Sequence, residues 1–487
     1  MNDSVEKTLE YFRKISAVPR CSKNEKAIGD TMLHWAEKNS FSAHKDTTGN
    51  VFILVPASPG CEQAPVVVLQ GHLDMVCEKR PDTAHDFSKD PVIVLQEGDW
   101  LKARGTTLGA DNGIALALAM DLATDTAVRH PPLELLFTAD EETGLNGARS
   151  LDRSALKGRI LINLDSETEG EFIIGCAGGR DILLKIAQDK INIPDTNAYE
   201  FYQINVSGLS GGHSGMDIDK GRGNANKILA SLAEPLFENE GLLLDISGGT
   251  AHNAIPRDAG CLAAVKKEKS EKVKHMLEKR CDDVKKVWTE TEKKMTCCVK
   301  QVPGAGKPAI MQSDKAAAFF KMMNALPNGV YAMDKHMEGL VETSDNVAVL
   351  STENNEVQVL ISLRSSSPQQ LDELTERIVT VSRQWGASPA VGEGYPPWEP
   401  QVESALLNKC VSLYQKTFGK TPVVKSIHAG LECGIIGSKF EGMEMISMGP
   451  DIENPHSPDE IMSVSSLKRL REYLAVLLGS LSRENGC

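Results

Sequence analysis

The stretch Val66-Val67-Val68-Leu69-Gln70-Gly71-His72-Leu73-Asp74 constrains this chain most. Four consecutive apolar residues, three of them β-branched, predict a buried strand. The run stops at Gly71, and an imidazole and a carboxylate follow two residues apart. In an open α/β sheet, chemistry collects at the carboxyl ends of the strands. Neutral His is the commonest metal ligand, and a nearby carboxylate often fixes its tautomer. His72 is therefore a candidate ligand and Asp74 a candidate orienter. Taken alone, the pattern more readily describes a strand-end His beside a solvated Asp.

Other apolar runs end the same way. Residues 133–139 read as a strand that closes on Asp140-Glu141-Glu142-Thr143-Gly144, and residues 160–164 as another that closes on Asp165. The segment Arg104-Gly105-Thr106-Thr107-Leu108-Gly109-Ala110-Asp111-Asn112-Gly113 is glycine-rich and predicts a loop with close backbone approach. It leads into an apolar, alanine-rich helix at 114–123, so Asp111 could be an N-cap; that role uses only one oxygen and leaves the other for a metal. Near the C-terminus, Asn454-Pro455-His456-Ser457-Pro458-Asp459-Glu460 holds His456 between two prolines ahead of a final helix at 462–482. Mixed His and carboxylate ligation suits zinc, cobalt or manganese better than calcium. Two ions need a shared ligand, and one further acid must stay off the metals to take a proton.

A chain of 487 residues predicts two domains. Its net charge of −14, with no basic block, argues against nucleic acid and against an anionic membrane surface. No run approaches the roughly 18 apolar residues of a membrane span. The N-terminus reads as an acidic amphipathic helix rather than a signal peptide. The 11 cysteines are scattered with no C-x-x-C, which predicts reduced thiols and a cytoplasmic protein. Helices are expected at 4–17 and 24–40, a strand at 50–55, and a hairpin over 92–103 turning at Glu97-Gly98-Asp99. From about 186 to 394, strands alternate with long charged helices in two successive units, 186–303 and 308–390. The helix at 266–294 is expected to present its charges as a solvated face. The α/β character returns with a helix at 402–418 and strands at 423–427 and 443–448.

Five of these motifs, around His72, Asp111, Glu141-Glu142, Asp165 and His456, resemble in order and spacing the di-zinc metallopeptidases that include carboxypeptidase G, peptidase T and peptidase V. Gly211-Gly212-His213-Ser214-Gly215 and His428-Ala429-Gly430-Leu431-Glu432-Cys433-Gly434 are most similar to the bacterial aminoacyl-histidine dipeptidases (peptidase D) within that family. The resemblance implies an α/β fold: a di-zinc exopeptidase-like catalytic domain, 1–185 and 395–487, with an inserted α+β lid domain, 186–394. It implies two divalent ions, zinc first and cobalt or manganese next. His72 and Asp165 would hold one ion, Glu142 and His456 the other, and Asp111 would bridge them. Asp74 would orient His72, and Glu141 would be the general base. The Asp111–Asn112 peptide would be cis. In the lid, His213 would stabilise the oxyanion, while Asn253, Arg364 and Gly430 would bind substrate. The lid is about twice the length found in the short-lid relatives, so His213 is expected to serve its own chain's site.

The activity so implied is metal-dependent hydrolysis of unblocked dipeptides such as Xaa-His and β-Ala-His. The partner is then a dipeptide substrate, and a homodimer is left open. The alternatives are an N-acyl amino acid deacylase or a carboxypeptidase of the same clan, or a non-catalytic metal-dependent binding protein. The intact Glu141-Glu142 pair speaks against the last. No G-x-S-x-G elbow follows a strand, which disfavours a serine hydrolase.

Overall fold

The apolar run becomes strand Val67–His72, buried along its whole length. It pairs in parallel with Leu133–Thr138 on one side and Ile160–Asn163 on the other. These strands lie inside an eight-stranded sheet ordered Ser42–Lys45, Val51–Val55, Leu133–Thr138, Val67–His72, Ile160–Asn163, Glu444–Ser447, Glu171–Cys176, Val423–Ile427. Parallel strands covered on both faces read as continuous apolar runs, which is why the central ones were legible. The edge strand Ser42–Lys45 carries no such run. The computed structural model describes residues 4–189, 191–193, 195–304, 308–335, 337, 339–353 and 355–483.

The chain divides into two compact units. The first comprises Met1–Cys176, Trp398–Ser426 and Leu431–Cys487. Its core packs helices Ser4–Ser16, Ala110–Thr124 and Val464–Leu481 with the sheet through Phe12, Leu116, Leu69 and Leu477. The helix Ala110–Thr124 is apolar on every side and buried on every side, as expected where no face meets water.

The second unit comprises Ala177–Pro397 and Ile427–Gly430. Its larger sheet runs Thr296–Val302, Tyr199–Ser207, Ala259–Lys266, Leu242–Gly248, Val341–Glu353, Glu356–Ser365, Gly178–Ala187, Ser388–Val391, with Gly329–Met333 also pairing to Val341–Glu353. The two halves of the sheet meet through the single pair Gly248↔Leu350. Strand Gly178–Ala187 runs through position 185, where the sequence suggested a boundary. Its opening glycines leave room for Tyr395: a Cβ on Gly179 would lie 2.5 Å from the Tyr395 hydroxyl. A glycine pair with that packing reads in sequence as a loop.

Two expectations are corrected. Cys21 and Cys77 form a disulfide, whereas reduced thiols were expected; the remaining described cysteines are free. Backbone pairing of Cys21 with Met75, and of the Met75 N–H with the Arg20 carbonyl, brings the two cysteines side by side although 56 residues separate them. The long charged helix covers Lys267–Trp288 and stops short of 294. Beyond it, Glu292 is buried rather than solvated and accepts the Ser210 and Gly223 N–H groups.

Candidate metal centre

The parallel register places the strand ends together. His72 pairs with Thr138, and Gln70 with Asn163, so the residues that follow each strand emerge at one edge of the sheet. Asn112 ties these ends to the helix: its Oδ1 accepts the His72 N–H at 3.1 Å, and its Nδ2 donates to the Leu164 carbonyl at 2.9 Å and to Asp165 Oδ1 at 2.6 Å. The Asp111–Asn112 peptide is cis, as the resemblance implied. Asp111 is not the N-cap, which is Gly109; it lies just inside the helix with a non-helical backbone, and both of its oxygens face imidazoles.

His72 Nε2 lies 3.1 Å from Asp111 Oδ1 and 3.4 Å from Asp165 Oδ1. His456 Nε2 lies 2.9 Å from Asp111 Oδ2 and 3.1 Å from Glu142 Oε2. His72/Asp111/Asp165 and Asp111/Glu142/His456 are thus two groups of possible ligands that share Asp111. Glu141 Oε2 stands 4.0 Å from His72 Nε2, outside the two groups that contain Asp111 but in a third possible ligand group with His72 and Glu142. His456 holds its place with a left-handed backbone, φ 60°.

The chemistry of this donor set fits cations. His72 Nδ1 faces the Asp74 carbonyl at 3.1 Å and Asp74 Oδ1 at 3.3 Å. Both are acceptors, so Nδ1 carries a hydrogen, while Nε2 faces two carboxylates; burial opposes charge on His72, but Asp165, Asp111 and Asp74 outweigh it and raise the imidazole well above its ordinary value. Positive charge is therefore favoured where Nε2 meets the two carboxylates. Glu142 Oε1 is buried without a partner. Burial raises the Glu141, Glu142 and Asp165 carboxyls, Glu141 well above the usual range, with like charge from Glu142 and Asp165 adding to it. Burial opposes a proton on His456, but Asp111 and Glu142 outweigh it and raise the imidazole to about 11. The cluster demands positive charge, which divalent ions supply.

Asp74 does more than orient His72. Its oxygens also accept the Glu141 N–H at 3.0 Å, the Glu142 N–H at 3.2 Å and the Ser22 hydroxyl at 2.8 Å. Burial works against its charge, but His72 and these donors prevail and lower the carboxyl to about 2.

In the second unit, His213 sits on the short strand Gly212–His213, opposite Ala254. Its Nδ1 accepts the Gly215 and Met216 N–H groups at 3.1 and 3.0 Å, so Nε2 carries the hydrogen. Asn253 is exposed beside it and gives its carbonyl to the Ser214 N–H. Arg364 is buried; Nη1 donates to the Tyr395 hydroxyl at 2.9 Å, and Nε has no partner. Gly430 lies against the Tyr395 ring, where a Cβ would come within 2.8 Å. His428 shares a 2.7 Å hydrogen bond with Ser344. Burial, with Arg364 and His213 nearby, lowers His428 to about 3.

The sequence pattern of peptidase family M20/M25/M40 matches residues 68–480. The chain belongs to this family. It is a peptide-bond hydrolase of mixed α/β fold. It is 39% identical over 470 residues to the cytosol non-specific dipeptidase of Escherichia coli K12, covering 96% of each chain. The aminoacylhistidine dipeptidase structure from Vibrio alginolyticus superposes with a TM-score of 0.82 at 37% identity, over 97% of this chain and 96% of that one. Aminopeptidase PepT from Bacillus cereus, at 15% identity and a TM-score of 0.56 over 98% of each chain, shares the fold.

Sequence reasoning passed over Asn112, Arg20, Tyr395, Glu432 and Glu460 as members of these clusters. Glu432 is fully buried and accepts from Gln70 and Thr138 beneath the strand ends. A buried charge at the start of a helix looks, in one sequence, like any first-turn acid; only the Glu432 inside the quoted His428–Gly434 motif gave a signal.

Proposed function

We propose that the chain is a cytoplasmic two-metal dipeptidase acting on unblocked dipeptides, Xaa-His and β-Ala-His among them. The observation that carries this reading is Asp111, whose two oxygens each face a different imidazole. His72 and Asp165 would hold one ion, Glu142 and His456 the other, and Asp111 both. Zinc suits this donor set first, with cobalt or manganese as substitutes. When bound, the ions polarise the scissile carbonyl and acidify the attacking water. Glu141 takes that water's proton and returns it to the leaving amine. Its raised carboxyl, buried among like charges, supports the role. His213, with hydrogen on Nε2, is suited to donate to the oxyanion. Arg364 holds the substrate's terminal carboxylate with its planar fork, Tyr395 bracing one arm. Asn253 and the Gly430 turn complete the recognition and limit substrate length. The names of the Escherichia coli and Vibrio alginolyticus relatives support the dipeptide class.

The test joins metal analysis to a substrate panel. About two ions per chain are expected, with turnover of Xaa-His and β-Ala-His exceeding that of N-acyl amino acids and tripeptides. Faster release from acylated amino acids would transfer the chain to the deacylases. Full activity after exhaustive chelation would sink the reading entirely.

A further inference from the structure

We infer that Glu460 and Arg20 are positioning residues for the metal bridge, gripping the backbone of the loop that carries Asp111 from its N–H and carbonyl sides. The inference rests on the two-ion reading above and adds what holds the shared ligand in place.

Glu460 is 2% exposed. Its Oε2 accepts the N–H groups of Leu108 at 2.8 Å and Gly109 at 2.9 Å. Its Oε1 accepts those of Ala110 at 2.8 Å and Asp111 at 3.3 Å. Four successive backbone donors converge on one carboxylate, forming an anion nest whose occupant is supplied by the chain itself. Burial raises the Glu460 carboxyl to about 7, and the N–H groups of Gly109, Ala110 and Asp111 act against that shift because they bond most strongly to the ionised form.

Arg20 is 1% exposed and works on the carbonyls. Nη1 donates to Leu73 at 3.1 Å and Asp74 at 2.8 Å, and Nη2 donates to Gly109. Gly109 is therefore held on both sides of its Cα, its N–H by Glu460 and its carbonyl by Arg20. Two glycines make the passage for the guanidinium: a Cβ on Gly109 or on Gly113 would stand 2.6 Å from Nη2. Gly109 also has φ 67°, which side chains rarely adopt. Through Leu73 and Asp74, the same guanidinium reaches the segment that follows His72. One buried pair thus spans the two stretches that must stay aligned for Asp111 Oδ1 and His72 to address the same ion.

Neither residue contributes to the ligand groups around Asp111. Their effect on metal passes through backbone position, and losing such outer partners costs about 10–100-fold in metal affinity or activity.

The test uses the full chain, stripped of metal and titrated with zinc in a calorimeter, alongside circular dichroism and steady-state kinetics. Glu460→Gln keeps the shape but points an amide donor at the N–H groups. It is expected to fold and to bind the second ion about 10–100-fold more weakly than wild type. Its kcat at saturating zinc should fall about tenfold or more while KM stays within about twofold, because the substrate contacts are untouched. Glu460→Asp, with the charge kept and the reach shortened, should fall between the two. Wild-type affinity for both ions in Glu460→Gln overturns the inference alone. A wild-type chain that takes up a single ion overturns the two-ion reading, and this inference with it. If both variants stay unfolded even in saturating zinc, Glu460 serves folding only and the positioning role is wrong.

Discussion

Glu141 and Glu142 are neighbours in sequence with opposite assignments, and the geometry that separates them is small. Glu142 Oε2 reaches His456 at 3.1 Å and groups with Asp111, whereas Glu141 Oε2 stops 4.0 Å from His72 Nε2. Both backbone N–H groups bind Asp74, so one carboxylate sets the directions in which the two side chains depart. A base is most effective when its pKa approaches the working pH, and burial has moved Glu141 upward. Glu141→Gln is expected to retain both metal ions and lose about 10²–10⁴-fold in kcat. Metal content and kcat measured on the same preparation check this; normal turnover would mean that another group takes the proton. At this scale the sequence was informative where an acid or imidazole ended an apolar run, as at His72 and Asp165. It was silent for Arg20, Asn112 and Glu460, whose partners lie in distant segments and whose neighbours in sequence carry no periodic signal.

At the scale of elements, the site depends on how closely helix Ala110–Thr124 approaches strand Val67–His72. Gly71 permits it: a Cβ there would stand 2.3 Å from Asn112 Oδ1 and 2.7 Å from the Ala115 Cβ. The glycine that ended the apolar run in sequence is thus a packing requirement, and the strand continues through His72. Gly71→Ala should push the helix start away from the strand and loosen the Asn112 hydrogen bonds to His72 and Asp165. Overpacking of this kind costs about 1–3 kcal/mol. A denaturant midpoint lowered by that amount, with weaker zinc binding, is the expected result. An unchanged midpoint and unchanged zinc affinity would show that the contact yields without consequence. The buried parallel strands and the amphipathic helices could be read because their periods are intrinsic to the local sequence. Strand Gly178–Ala187 and edge strand Ser42–Lys45 could not, since glycine pairs and polar edges resemble loops until partners are known.

For the molecule as a whole, the decisive fact is that each unit has its own hydrophobic core and that His72, Asp111, Glu141, Glu142, Asp165 and His456 all belong to the first. That unit is assembled from three stretches of chain, so His456 reaches Asp111 across 345 residues of sequence. Ala177–Pro397, between the first two of these stretches, makes up most of the second unit, and the small return Ile427–Gly430 to it had no sequence signal. Carboxylates buried together without compensating charge destabilise the fold that buries them, so ion binding should stabilise the first unit selectively. Free zinc at about a thousand times its dissociation constant adds about 4 kcal/mol. For a unit of this size, each kcal/mol raises Tm by roughly 2–4 °C. Calorimetry of the chelated chain is therefore expected to show two transitions, of which only one climbs, by about 10 °C, when zinc is restored. His456→Ala should shrink that climb without moving the other transition, because the second unit supplies none of the ligands. If both transitions rise equally, or the zinc-dependent one survives loss of His456 undiminished, the ions are held somewhere other than the ends of these strands.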